Sequence, residues 1–218
     1  MYMMFQALSA DFAGSGLNIL AQILGLAIAV ILHEVSHGYV ALRLGDPTAY
    51  YAGRLTLNPI KHIDLWGTII LPLMLIISTG GQFVFGWAKP VPVNYYNLRA
   101  GKYGPVLVAL AGPLTNFVLL VFFALLARFS PAATALPLLF IAIAKTNGVL
   151  MFFNLIPIPP LDGSKVLYLF LEDRQDIIQN LERYSMYFLI ALLLVGSRLL
   201  SSIVFAPALY LTRLFAGF

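Results

Sequence analysis

Four long apolar stretches dominate this chain: Leu17 to Leu42, Val106 to Ala127, Leu136 to Ile156 and Tyr184 to Phe205. Each reaches the roughly 20 residues that a helix needs to cross the hydrocarbon of a bilayer. In that solvent every backbone N–H and C=O must be satisfied internally, and an unbroken run of this length does so as a helix. Only 10% of the residues are charged and 61% are hydrophobic, far from the roughly 25% charged of a soluble domain. The reading is an all-α polytopic membrane protein, a helical bundle of about four to six membrane segments set in a lipid bilayer. No polar linker, low-complexity tract or internal repeat divides the 218 residues, so residues 1–218 are read as one domain.

Cysteine is absent, which excludes disulfides, thiolate ligands and cysteine nucleophiles; any metal must be held by His, Asp or Glu. The net charge of +4 comes from scattered basic residues, so no nucleic-acid partner is expected. In a membrane protein such residues mark the cytoplasmic side. The first residues, MYMMFQALSADF, lack the basic start of a signal peptide, and the first apolar stretch is expected to be retained as a span.

A fifth apolar run, Trp66 to Ser78, is short, contains Pro72 and meets Gly80-Gly81. Basic residues decide how it is read. Arg43, Arg54 and Lys61 follow the first span, Lys89, Arg99 and Lys102 precede the second, Lys165, Arg174 and Arg183 follow the third, and Arg128 alone lies between the second and third. If the short run re-enters, or pairs with Phe83 to Trp87, the three basic connections share one face, which the positive-inside rule makes cytoplasmic.

Inside the first span lies HEVSH, His33 to His37. Residues four apart on a helix stand one turn apart on one face, so the two imidazoles can converge on one metal ion with the Glu34 carboxylate beside them as a general base. Ionisable groups at mid-bilayer cost roughly 2.5–3.5 kcal/mol on the insertion scale and mark functional sites by default. A catalytic zinc wants a third protein ligand. Asp162, in NLIPIPPLDGSKV, is the stronger candidate, because prolines 157, 159 and 160 stop the preceding helix and Gly163 permits a tight turn. The alternatives are Asp162 as a helix cap and His62 as the ligand, although His62 reads more simply as a solvated loop residue.

HEVSH together with NLIPIPPLDG resembles the site-2 protease family of intramembrane zinc metalloproteases. AGPLTNF, residues 111–117, is similar to the family's glycine-x-x-x-asparagine element at Gly112 and Asn116. GRLTLNPIKHIDLWGT and GWAKPVPVN resemble stretches of its compact bacterial members without PDZ or CBS domains. The resemblance implies one Zn2+ held by His33, His37 and Asp162, Glu34 as base, and hydrolysis of peptide bonds in membrane-spanning protein substrates, as in regulated intramembrane proteolysis. The likeness to bacterial members and the basic connections together lead to the expectation of a multi-pass protein of the bacterial cytoplasmic membrane with the site toward the cytoplasm. The resemblance also suggests that Asn116 or Asn154 orders the site or contacts the substrate backbone; by its chemistry either amide can serve as an oxyanion donor or simply hydrogen-bond a helix. The competing function is a membrane metal-binding protein or ion transporter using the same ligands.

Further expectations concern the surroundings. A small re-entrant or membrane-associated β element is expected near the active site: residues 87–94, with 53–58 as a neighbouring strand, would receive an unwound substrate by strand addition. Pro90 and Pro92 strip donors from one edge, leaving those of Lys89, Val91 and Val93 on the other. Lys145, with Thr146 and Asn147, either lines a water path or snorkels and pairs. Residues 171–183 read as an interfacial helix.

Overall fold

The computed structural model describes residues 16–80, 86–131, 134 and 136–217. The stretch MYMMFQALSADF and most of the Phe83–Trp87 arm therefore lie outside the described residues. Among the described residues, four helices are long and apolar enough to cross a membrane: Ala21–Arg43, Gly101–Phe129, Leu136–Asn154 and Ser197–Ala216. The α-helices are α1 (Gly16–Arg43), α2 (Thr48–Tyr51), α3 (Leu71–Thr79), α4 (Gly104–Phe129), α5 (Leu136–Asn154), α6 (Gly163–Phe170), α7 (Gln175–Arg183), α8 (Ser185–Val195), α9 (Ser197–Leu200) and α10 (Ala206–Ala216). The bundle core is α1, α4 and α5 packed mutually, with α10 laid along α4 and α5. Small residues permit that close approach: Ala29, Ala124 and Ala144 are wholly buried, and a Cβ on Gly25 would stand 3.2 Å from the Ile143 backbone.

The short apolar run has its two described ends close together. Asp64 caps its start by accepting the Gly67 N–H at 2.7 Å, and a π-helical turn over Leu65–Ile70 leads into α3. Beyond α3 the chain returns to where it began: Trp87 N–H donates to the Gly67 carbonyl at 3.1 Å, and Thr68 Oγ1 donates to the Trp87 carbonyl at 2.8 Å. Gly67 is required there, because a Cβ would fall 2.3 Å from the Trp87 ring. The two ends of the run therefore lie together, and the contacts of His37 with Val108 and Asp162 bring α1, the start of α4 and the Asp162 turn to one place.

Two expectations are corrected. Tyr184–Phe205 is not one span. Glycine is a poor helix residue, and the helix breaks at Gly196, whose N–H closes α8 on the Leu192 carbonyl; the continuous apolar helix starts at Ser197 and runs to Ala216. Leu189, Leu192 and Leu193 of α8 pack with Leu200, Val204, Ile156 and Leu161, anchoring the break beside the turn that carries Asp162. The second correction concerns the β element: among the described residues there is no strand. Residues 86–94 carry no regular secondary structure, and their neighbours meet them through side chains and single carbonyls rather than a ladder. Of residues 171–183, only Gln175–Arg183 form a helix; this α7 half-buries Ile177, Ile178 and Leu181 and exposes its other residues.

Candidate metal centre

His33 and His37 lie one turn apart on α1, their side chains directed between α4 and the turn after α5. Both are buried, at 5% and 9% exposure. The α5–α6 turn brings the third group in. Leu161 N–H closes on the Ile158 carbonyl at 3.0 Å, and Gly163 passes so near the end of α5 that a Cβ would lie 2.3 Å from the Leu155 oxygen. The DG pair is thereby folded back under α5. Asp162 stands at the N-cap position of α6 but makes no side-chain cap bond. Its Oδ2 instead lies 3.1 Å from His33 Nε2 and 3.4 Å from His37 Nε2.

Proton accounting tests whether a metal fits. His37 Nδ1 lies 2.7 Å from the Val108 carbonyl, which can only accept, so Nδ1 carries the hydrogen. His33 Nδ1 meets Asn116 Oδ1 at 2.6 Å. The Asn116 amide is oriented without ambiguity, because Nδ2 donates to the Ala29 carbonyl at 3.1 Å and to Asn147 Oδ1 at 2.9 Å. In both neutral rings Nε2 is therefore a lone pair. Two imidazole lone pairs and a carboxylate oxygen, itself buried without a hydrogen bond, converge with their ligand atoms within 4.8 Å of one another. That is the donor set of a divalent cation, with the second nitrogen of each imidazole fixed by a hydrogen bond. Gly112 keeps the space open, since a Cβ there would stand 2.5–2.6 Å from both imidazoles.

The other predicted residues divide. Glu34 is half-buried beside the imidazoles, and its Oε2 accepts the Val91 N–H at 2.8 Å. Asn116 is wholly buried and has its oxygen and both amide hydrogens committed, so it orients His33 and has no donor left for an oxyanion. Asn154 turns its amide onto the Leu150 carbonyl of its own helix at 3.1 Å. His62 is buried rather than solvated, bonds the Thr56 carbonyl at 2.8 Å and is not one of the converging ligands. The open donor edge is corrected as well: Lys89 N–H is taken by the His62 carbonyl at 2.9 Å and Val91 N–H by Glu34, while Val93 packs beside Ala41 and Leu98.

Three further buried polar residues lie around the site. Asn147, expected on a water path, is fully buried and backs Asn116 while donating to the Ile143 carbonyl at 2.9 Å. Asp46 and Arg54 are buried at 0% and 7% exposure. Burial alone would raise the Asp46 pKa, but bonds from Thr48, Asn97 and Asn94 outweigh it and hold the carboxyl below the ordinary range. The DPT sequence was a readable signal for an Asp that binds the backbone two residues on.

The model of Peptidase family M50 matches residues 130–196. "Putative zinc metalloprotease YwhC" of Bacillus subtilis is 42% identical over 157 residues, covering 66% of each chain. "Putative zinc metalloprotease Rip2" of Mycolicibacterium smegmatis is 34% identical over 145 residues, 65% of this chain and 53% of that one. "Putative zinc metalloprotease MJ0611" of Methanocaldococcus jannaschii is 34% identical over 171 residues, 74% of this chain and 78% of that one. The chain thus spans just under two thirds of YwhC and about half of Rip2. No solved structure matches it. The identity to MJ0611 over most of both chains, with the family match across α5 and the Asp162 turn, makes this chain a member of peptidase family M50.

Proposed function

We infer that this protein is a zinc-dependent intramembrane endopeptidase of the site-2 type, acting as one membrane-embedded unit on proteins anchored in the same bilayer. One observation carries the reading: three lone-pair donors, His33 Nε2, His37 Nε2 and Asp162 Oδ2, converge in a buried space with a half-buried carboxylate, Glu34, beside them. Zinc held there would act as a Lewis acid and bring the pKa of water to about 7. The protein's own residues would do the rest. Glu34 takes a proton from the attacking water on the carboxylate oxygen not held by Val91, then delivers it to the leaving amine. Asn116, backed by Asn147, and the Val108 carbonyl keep both imidazoles in the ligating tautomer.

The excess of basic residues on the connections flanking the site supports a cytoplasmic-facing site in a bacterial membrane. The ion-transport reading is less well supported, because His33, His37 and Asp162 sit at one level rather than along a path. The test uses purified protein and a panel of single-span peptides in detergent micelles. Cleavage should disappear on chelation and return with one equivalent of zinc; cleavage that survives complete metal removal would reject the assignment.

A further inference from the structure

Residues 87–97 form a strap across the face of α1 that carries Glu34. Gly38, one turn beyond Glu34, makes a notch for it: a Cβ on Gly38 would lie 2.8 Å from Val91 Cγ1 and 2.5 Å from Leu55 Cδ2. The Val91 side chain fills that notch. Pro90 and Pro92 have no N–H, so the Val91 amide is the one donor in residues 90–92, and it is directed at Glu34 Oε2.

Both ends of this stretch are fastened by buried charges. Asp46 accepts the Asn94 N–H at 2.7 Å and Asn97 Nδ2 at 2.9 Å. Arg54 Nη2 donates to the Lys89 carbonyl at 2.7 Å, on the same residue whose N–H is held by His62. Among the described residues no carboxylate pairs with Arg54. An unpaired buried charge is costly, yet this guanidinium is spent on one backbone carbonyl of the strap. Its position tracks the strap and nothing else charged.

We propose that Asp46 and Arg54 are positioning residues for proton transfer: they hold the strap so that the Val91 N–H fixes one oxygen of Glu34 and leaves the other aimed at the reacting water. The inference rests on Glu34 being the base. A charge-assisted hydrogen bond restrains a carboxylate more firmly than a neutral one, and proton transfer depends on that placement.

The test measures kcat and KM for a quenched-fluorescent single-span peptide that the wild type cleaves in dodecyl maltoside, with zinc content measured on every variant. Asp46→Ala, Arg54→Met and Val91→Pro should each lower kcat roughly 10- to 100-fold, the effect of losing a hydrogen bond to a charged group, with KM and zinc content little changed. Adding Asp46→Ala to Val91→Pro should cost no more than about a further twofold, within the error of independent effects. Arg54→Lys, which restores a donor to the Lys89 carbonyl, should recover most of the loss. Hydrogen exchange supplies a readout apart from activity: the Val91 amide should be protected in the wild type and exposed in Glu34→Ala, Asp46→Ala and Arg54→Met. Fast wild-type exchange at Val91, fully multiplicative losses in the double variant, a loss confined to KM, or a rise in kcat would each overturn the proposal. An active Glu34→Gln protein would instead defeat the underlying reading of the base.

Discussion

Glu34→Gln is expected to retain zinc at the wild-type stoichiometry and to cleave single-span peptides about 10²- to 10⁴-fold more slowly, the range attributed to a positioned general base. The amide matches the carboxylate in size and keeps an oxygen for the Val91 N–H. What it lacks is basicity. Because Glu34 is not among the converging ligands, metal should be unaffected. His33→Ala should behave differently and lose both zinc and cleavage, because it removes a ligand and strands the Asn116 oxygen that fixes it. The pair of variants, assayed for zinc and cleavage on the same preparations, separates holding the metal from moving the proton. An active Glu34→Gln protein would sink this division of labour.

Asp162→Asn should reduce zinc affinity by more than about 100-fold, since even partners that only orient a ligand are worth 10–100-fold and this substitution removes an anionic ligand itself. The fold should tolerate it. Asn and Asp cap helices about equally, and Asp162 makes no cap bond to lose. Competition titration against a zinc-sensing dye, with thermal unfolding of the metal-free protein as control, distinguishes the two effects. Unchanged zinc affinity would remove Asp162 from the site. His62 is poorly placed to replace it, being buried against Thr56 and apart from the converging group.

The metal centre was legible because its signals are local. The four-residue spacing of His33 and His37 states their shared face, and the Pro-rich break ending in Asp162-Gly163 announces a helix stop and a turn. What local pattern cannot supply is the partner across space. Asn116 and Asn154 read alike, as amides in apolar helices, yet one faces His33 and the other its own helix. The donor pattern of Pro90-Val91-Pro92 was readable, but not that Glu34 already takes the Val91 N–H. Asp46 and Arg54 acquire meaning only through the strap, some 35–50 residues away in sequence. The misplaced last span has a simpler cause: hydropathy is continuous across Gly196, whereas the helix is not.

On the reading proposed above, His33, His37 and Asp162 together hold one zinc ion. X-ray absorption at the zinc edge on the purified protein, loaded with one equivalent, tests it most directly. Two imidazole ligands with the remainder oxygen are expected in the wild type, and loss of one imidazole signal in His37→Ala. Three imidazole ligands would bring in His62 and displace Asp162, and a zinc bound by oxygen alone would contradict the assignment of His33 and His37.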